Sequence, residues 1–125
     1  MNMAMTTAQG QTAYHAGVSA EQRVASDYER RGFSVAQRRW RGAGGEIDLI
    51  TRDGDGLVFV EVKKSRSFAR AAERLTRRQM ARIYAAAEQF LAFEPAGQLT
   101  NVRFDVALVD GAGDLKIIEN AFGHA

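Results

Sequence analysis

Residues Gly45 to Lys64 read GEIDLITRDGDGLVFVEVKK. The runs EIDLIT and LVFVEVK are rich in β-branched and aromatic residues, and the RDGDG between them supplies Asp-Gly pairs that tolerate the positive φ of a tight turn. They predict a β-hairpin. With Gly54 and Asp55 as loop residues, Asp53 pairs with Gly56, and counting back sets Asp48 opposite Glu61 and Glu46 opposite Lys63. Acids and lysines are depleted in strand interiors, so four ionisable groups here need a physical reason.

Opposed residues bring their β-carbons to about 5 Å, where like charges destabilise the pair. Two carboxylates at about 4 Å repel by about 4 kcal/mol at an effective dielectric near 20. A divalent cation relieves that repulsion, since magnesium takes one or two carboxylates and completes its shell with water and phosphate oxygens. A lysine two places along the same face could orient a water or stabilise charge developing on phosphorus. The plainer alternative is that the charges guard a sheet edge against aggregation.

Upstream, SAEQRVASDYERRGF signals a helix. Ser19 and Gln22 form a capping box, and Gly32 suits the left-handed position past the end. Glu21, Val24, Ala25 and Tyr28 share one face, which makes Glu21 an acid at the start of an inward stripe. FSVAQRRW then predicts a short strand from about Phe33 to Arg38.

Downstream, LTRRQMARIYAAAEQFLAF predicts a second helix, with Thr76 and Gln79 as its capping box and Pro95 as its stop. Met80, Ile83, Tyr84, Ala87, Phe90 and Leu91 form its apolar stripe, leaving Arg78 and Arg82 toward solvent. NVRFDVALV and DLKIIEN predict two further strands. One long helix between the hairpin and the next strand acts as a crossover. The order α-β-β-β-α-β-β therefore predicts an α/β fold with a mixed central sheet and helices on its faces.

At 125 residues the chain has the size of one domain. Residues 17–125 are expected to form it, and residues 1–16, rich in Thr, Gln, Gly and Ala, to form a mobile tail. The absence of cysteine excludes disulfides, thiolate catalysis and cysteine-based zinc sites. Met1 to Gly17 lacks a basic n-region and an apolar h-region, and no apolar run is long enough to span a bilayer, so a cytoplasmic location is expected. Net charge is only +2, but eight of the 17 basic residues (Lys63, Lys64, Arg66, Arg70, Arg74, Arg77, Arg78, Arg82) lie between Lys63 and Arg82 with one acid, Glu73. Nine basic and fourteen acidic residues remain elsewhere, a net of −5. Such concentration is what a phosphate backbone favours, although a solvated helix face on a basic protein has the same composition.

GEIDLI followed by VFVEVK, with a preceding helix bearing Glu21 and with RFDVALV and NAF behind, resembles the bacterial YraN family of predicted endonucleases. That family is similar to the archaeal Holliday junction resolvases and to the wider PD-(D/E)xK, restriction-endonuclease-like superfamily. The resemblance runs from about Gly17 to Phe122. It implies a restriction-endonuclease-like α/β fold and an endonuclease dependent on Mg2+ or Mn2+, acting on DNA, with branched or damaged recombination intermediates as substrates. Asp48 and Glu61 would be metal-binding carboxylates, Lys63 the catalytic lysine and Glu21 a third metal ligand.

Lys64, Arg66, Arg70, Arg74, Arg77, Arg78 and Arg82 would bind the nucleic acid. Glu46 belongs to the hairpin signature with no role assigned. Gln79 and Tyr84 are similar to a glutamine and tyrosine motif of related exonucleases, but their spacing differs by one, which favours the capping role for Gln79. The resemblance also implies an asparagine near Arg39 and an arginine at the position of Ser65, where this chain departs from it. The resemblance also implies a homodimer, because resolvase-like enzymes make two symmetric cuts with two sites, although no interface signature in the sequence itself requires one. The competing expectation is a nucleic-acid-binding module that keeps this fold without turnover.

Overall fold

The computed structural model describes residues 20–122. The tail expected over residues 1–16 and the cap expected at Ser19 lie outside them. Helix α1 covers residues 20–30. It ends with the Phe33 amide donating to the Tyr28 carbonyl and Gly32 to Glu29, while Gly32 takes a φ of 98°. This is the Schellman arrangement, and it places glycine where the sequence puts it.

Five strands follow: β1 (Ser34–Gly42), β2 (Gly45–Asp53), β3 (Gly56–Lys64), β4 (Val102–Val109) and β5 (Leu115–Ile118). They lie in chain order in one sheet. β1, β2 and β3 form an antiparallel meander, β3 and β4 run parallel, and β5 returns antiparallel to β4. The parallel step is made by the crossover through α2 (Phe68–Glu73) and α3 (Arg77–Leu91), as the long second helix predicts. At the β2–β3 turn Asp53 pairs with Gly56, and Gly54 takes a φ of 61°, which suits the first central residue of a II′ turn.

Two differences from the sequence reading have local causes. β1 continues four residues past Arg38 to Gly42. Its alternation is masked because Gln37, Arg38, Arg39 and Arg41 are all exposed, the register shifts between Val35 and Gln37, and Arg39 adopts a φ of 49°. Helix α2 is additional. It is too short to show a helical period, but Ser67 caps it by accepting the Arg70 amide at 3.2 Å, and Ala71 is buried beside Val106 and Leu108.

The sheet is covered on both faces. Ala20, Val24, Ala25 and Tyr28 of α1 pack on Leu49, Val58, Val60, Ala107 and Val109. On the other face Ile83, Ala86, Ala87, Phe90 and Leu91 of α3 pack on Ile47, Ile50, Leu57, Phe59 and Phe104. Phe59 stacks on Phe104 at 5.3 Å between centroids, and Trp40 meets Phe90 edge-on at 5.3 Å. Burial of these aromatic and aliphatic side chains is the main stabilising term, at about 25 cal/mol per Å² of apolar surface. The chain then closes over this face, with Tyr84 Oη donating to the Phe122 carbonyl and Phe122 packed against Tyr84 and Phe104. Among the described residues no helix is long and apolar enough to cross a membrane.

Candidate active site

The paired positions of β2 and β3 run from Asp53/Gly56 to Leu49/Val60. One step further stand Asp48 and Glu61. There Asp48 Oδ2 accepts the backbone N–H of Val62 at 2.8 Å. Ile47 and Leu49 are two residues apart yet belong to opposite core clusters, so simple alternation breaks across Asp48. The hairpin splays at this point, and the cleft it opens holds the charges that seemed misplaced in a strand.

Asp48 and Glu61 face each other as the register predicts. Burial, then the charge of Glu61, push the Asp48 carboxyl up to about 7, against the Val62 N–H, which favours the carboxylate; a hydrogen bond to Glu61 raises it further. Two facing carboxyls form an oxygen donor pair whose repulsion a hard divalent cation would relieve. The pair therefore fits such an ion. Glu61 is 6% exposed. Lys63 Nζ lies 3.0 Å from Glu61 Oε2, which also accepts from Gln79 Nε2 at 3.2 Å.

Two expectations are corrected. Glu46 does not sit opposite Lys63, because the ladder has already parted; it pairs with Arg41 of β1 and is bridged by that guanidinium at 3.0 Å. Gln79 is the other. Its backbone amide does donate to Thr76 Oγ1 at 3.1 Å, but its side chain turns to Glu61 instead of back to the cap. The signal was in the sequence: Gln79, Ile83 and Ala86 follow i, i+4, i+7, which turns Gln79 toward the buried face.

A cleft of about 370 Å³ gathers Glu21, Glu46, Asp48, Glu61, Lys63, Gln79 and Arg82. Of the seven basic residues expected to bind nucleic acid, only Arg82 lines it. Arg77 and Arg78 are exposed in the first turn of the same helix, while Lys64, Arg66 and Arg70 are exposed along the chain leaving Lys63. Arg74 is tied back, donating to the Lys64 carbonyl at 3.0 Å. Glu21 is held by Arg39, whose Nε and a terminal nitrogen each lie 2.8 Å from Glu21 Oε1. Burial raises the Glu21 carboxyl, Arg39 opposes that, and the charge of Asp48 adds to it. Among the described residues no three His, Cys, Asp or Glu side chains already stand together as a metal site. Arg39 is the site residue that sequence reasoning missed.

The sequence profile of the uncharacterised protein family UPF0102 matches residues 20–109, which include the whole cleft. A UPF0102 protein of Ruegeria pomeroyi is 62% identical over 122 residues, covering 98% of this chain and 99% of its own. One from Cereibacter sphaeroides strain KD131 is 64% identical over 113 residues, covering 90% of this chain and 97% of the relative. A UPF0102 protein of Dinoroseobacter shibae is 47% identical over 113 residues, 90% of this chain and 84% of the relative. The chain belongs to the uncharacterised protein family UPF0102, the YraN-like family that its hairpin motifs resemble.

Proposed function

We propose that this protein is a divalent-metal-dependent nuclease that hydrolyses phosphodiester bonds in DNA, with branched or damaged repair and recombination intermediates as its substrate class. The observation that carries the reading is the pairing of half-buried Asp48 with buried Glu61, with Lys63 3.0 Å from Glu61, set in a cleft that Arg82 of α3 also lines.

Asp48 and Glu61 would hold Mg2+ or Mn2+, and Glu21 stands in the same cleft as a third acid. The bound cation would supply charge stabilisation at phosphorus and a water acidic enough to attack near neutral pH. The chain's own groups do the positioning. The Val62 N–H fixes one oxygen of Asp48, and Gln79 fixes one oxygen of Glu61. Lys63 is a largely buried cation beside the pair, placed to stabilise negative charge on a phosphate that reaches the acids. Arg77, Arg78 and Arg82 give the backbone of the nucleic acid a track toward them.

The test is cleavage of linear, flapped and four-way DNA by highly purified protein in Mg2+ or Mn2+, against the Asp48→Asn and Glu61→Gln variants prepared alike. Cleavage that disappears in both variants supports the proposal. Activity equal to theirs with every substrate overturns it, and DNA binding without turnover would then leave a nucleic-acid-binding module of the same fold.

A further inference from the structure

A second cavity of about 230 Å³ adjoins the cleft and is lined by Glu21, Gln22, Arg38, Arg39, Asp48 and Leu49. The two share Glu21 and Asp48, so they form one trough divided by acids. Arg82 stands on one side of that divide, and Arg38 and Arg39 stand on the other. A strand laid across the acids would meet guanidinium groups at both ends.

Resting on the nuclease reading, we propose that the second cavity is a phosphate-binding subsite, in which Arg39 takes a backbone phosphate of the nucleic acid and thereby releases Glu21 to Asp48 and Glu61. Three observations support it. Arg39 directs Nε and a terminal nitrogen at the same oxygen of Glu21, whereas a phosphate offers two oxygens to such a fork. Its side chain is 48% exposed while Glu21 is 25% exposed, so the cation is the partner that an incoming anion reaches. Its backbone sits at a φ of 49° within a strand, a sparsely populated conformation for a residue with a β-carbon that concentrates at ligand-binding sites. Beside it Arg38 is exposed and donates to Gln22 Oε1 at 3.3 Å. Arg39 is thus a positioning residue that couples arrival of the backbone to completion of the acidic set.

The decisive variant is Arg39→Gly, because glycine accepts the positive φ while the guanidinium is removed with the rest of the side chain. Binding of labelled duplex and four-way DNA is measured in chelator across a range of salt, and binding of Mn2+ alone is measured by calorimetry. Arg39→Gly should weaken DNA binding about tenfold and make the salt dependence shallower by about one unit of slope. Its Mn2+ affinity without DNA should rise severalfold, since Glu21 is no longer held away; a merely structural ion pair predicts unchanged or weaker Mn2+ binding. Glu21→Gln should tighten DNA binding in chelator by more than Glu46→Gln does, and it decides the matter alone if Arg39→Gly fails to fold. Unchanged DNA affinity in Arg39→Gly, with weakened affinity in an Arg78→Ala, Arg82→Ala double variant, overturns the subsite and leaves the nuclease reading standing. Wild-type protein that binds no DNA overturns both.

Discussion

Asp48 Oδ2 accepts the Val62 N–H at 2.8 Å, one step beyond the last paired residues of the β2–β3 hairpin. A side chain thus takes over where the backbone ladder stops, and the strands separate without leaving that amide unpaired. Asp48 has two separable roles, as hydrogen-bond acceptor and as charge. Asp48→Asn keeps an oxygen for Val62, whereas Asp48→Ala leaves a part-buried donor unsatisfied at a cost of about 1–3 kcal/mol. In thermal melts without metal, the alanine variant should unfold several degrees below wild type and the asparagine variant should not. Neither should be stabilised by Mn2+. Equal melting temperatures for the two variants would show that the Val62 contact carries no weight.

The same carboxyl makes stability depend on pH. Asp48 is pushed from an ordinary 3.8 up to about 7, by burial first and by Glu61 second. The folded protein therefore keeps a proton that the unfolded chain gives up. This contribution is fully present below pH 3.8 and is lost as pH rises through about 7. With chelator present, the melting temperature of wild type relative to Asp48→Asn should fall between pH 5 and pH 8. Saturating Mn2+ should restore it at the upper end, where a cation can replace the proton. A difference that stays flat across this range would remove the carboxyl pair from the account.

Gln79 supplies a third expectation. Its amide donates to Glu61 Oε2 at 3.2 Å while Lys63 approaches the same oxygen. Removing the amide with Gln79→Ala leaves α3 capped by Thr76, so folding should change by no more than about 1 kcal/mol. Glu61 would lose one of the groups that orient it. Mn2+ affinity should fall severalfold in calorimetry, and the circular dichroism melt should stay within a few degrees of wild type. Metal affinity equal to wild type would make Gln79 a bystander.

What was legible in the sequence were the features encoded locally. The Asp-Gly turn and the β-branched runs specified the hairpin and its register, Gly32 marked the end of α1, and one long helix before β4 implied the parallel crossover. The charged cleft was legible because four ionisable groups interrupted strands that otherwise want apolar residues. The rest depends on what local pattern does not carry. The ladder parts beyond Leu49/Val60, which moves Glu46 to Arg41 and away from Lys63. Asp105 shows the same limit from the other side. It too is an acid in a strand, but it is fully buried and bound by Tyr28 Oη at 2.7 Å, by Arg103, and by the Asn120 amide at 2.9 Å. Burial and partners together distinguish this structural acid from Asp48.

The β1–β2 turn fixes how the cleft meets α3, and its glycines allow a last prediction. A β-carbon on Gly44 would stand 2.7 Å from the β-carbon of Ala85, and the neighbouring Ala43 amide donates to Gln89 Oε1 at 2.7 Å. The turn therefore lies directly on the helix, with the position of a Gly45 β-carbon only 3.2 Å from Arg82 Cβ. Gly44 does not have a positive φ, so substituting it tests space and not backbone conformation. Gly44→Ala should destabilise the fold by about 1–3 kcal/mol through overpacking. Ala85→Gly alone should cost about 1 kcal/mol as a glycine within a helix, yet combined with Gly44→Ala it clears the clash, so the two effects should be far from additive. Urea denaturation of the four proteins in the cycle measures that coupling. Strict additivity would mean that the turn does not rest on α3, and that the placement of Arg82 beside the acids has another origin.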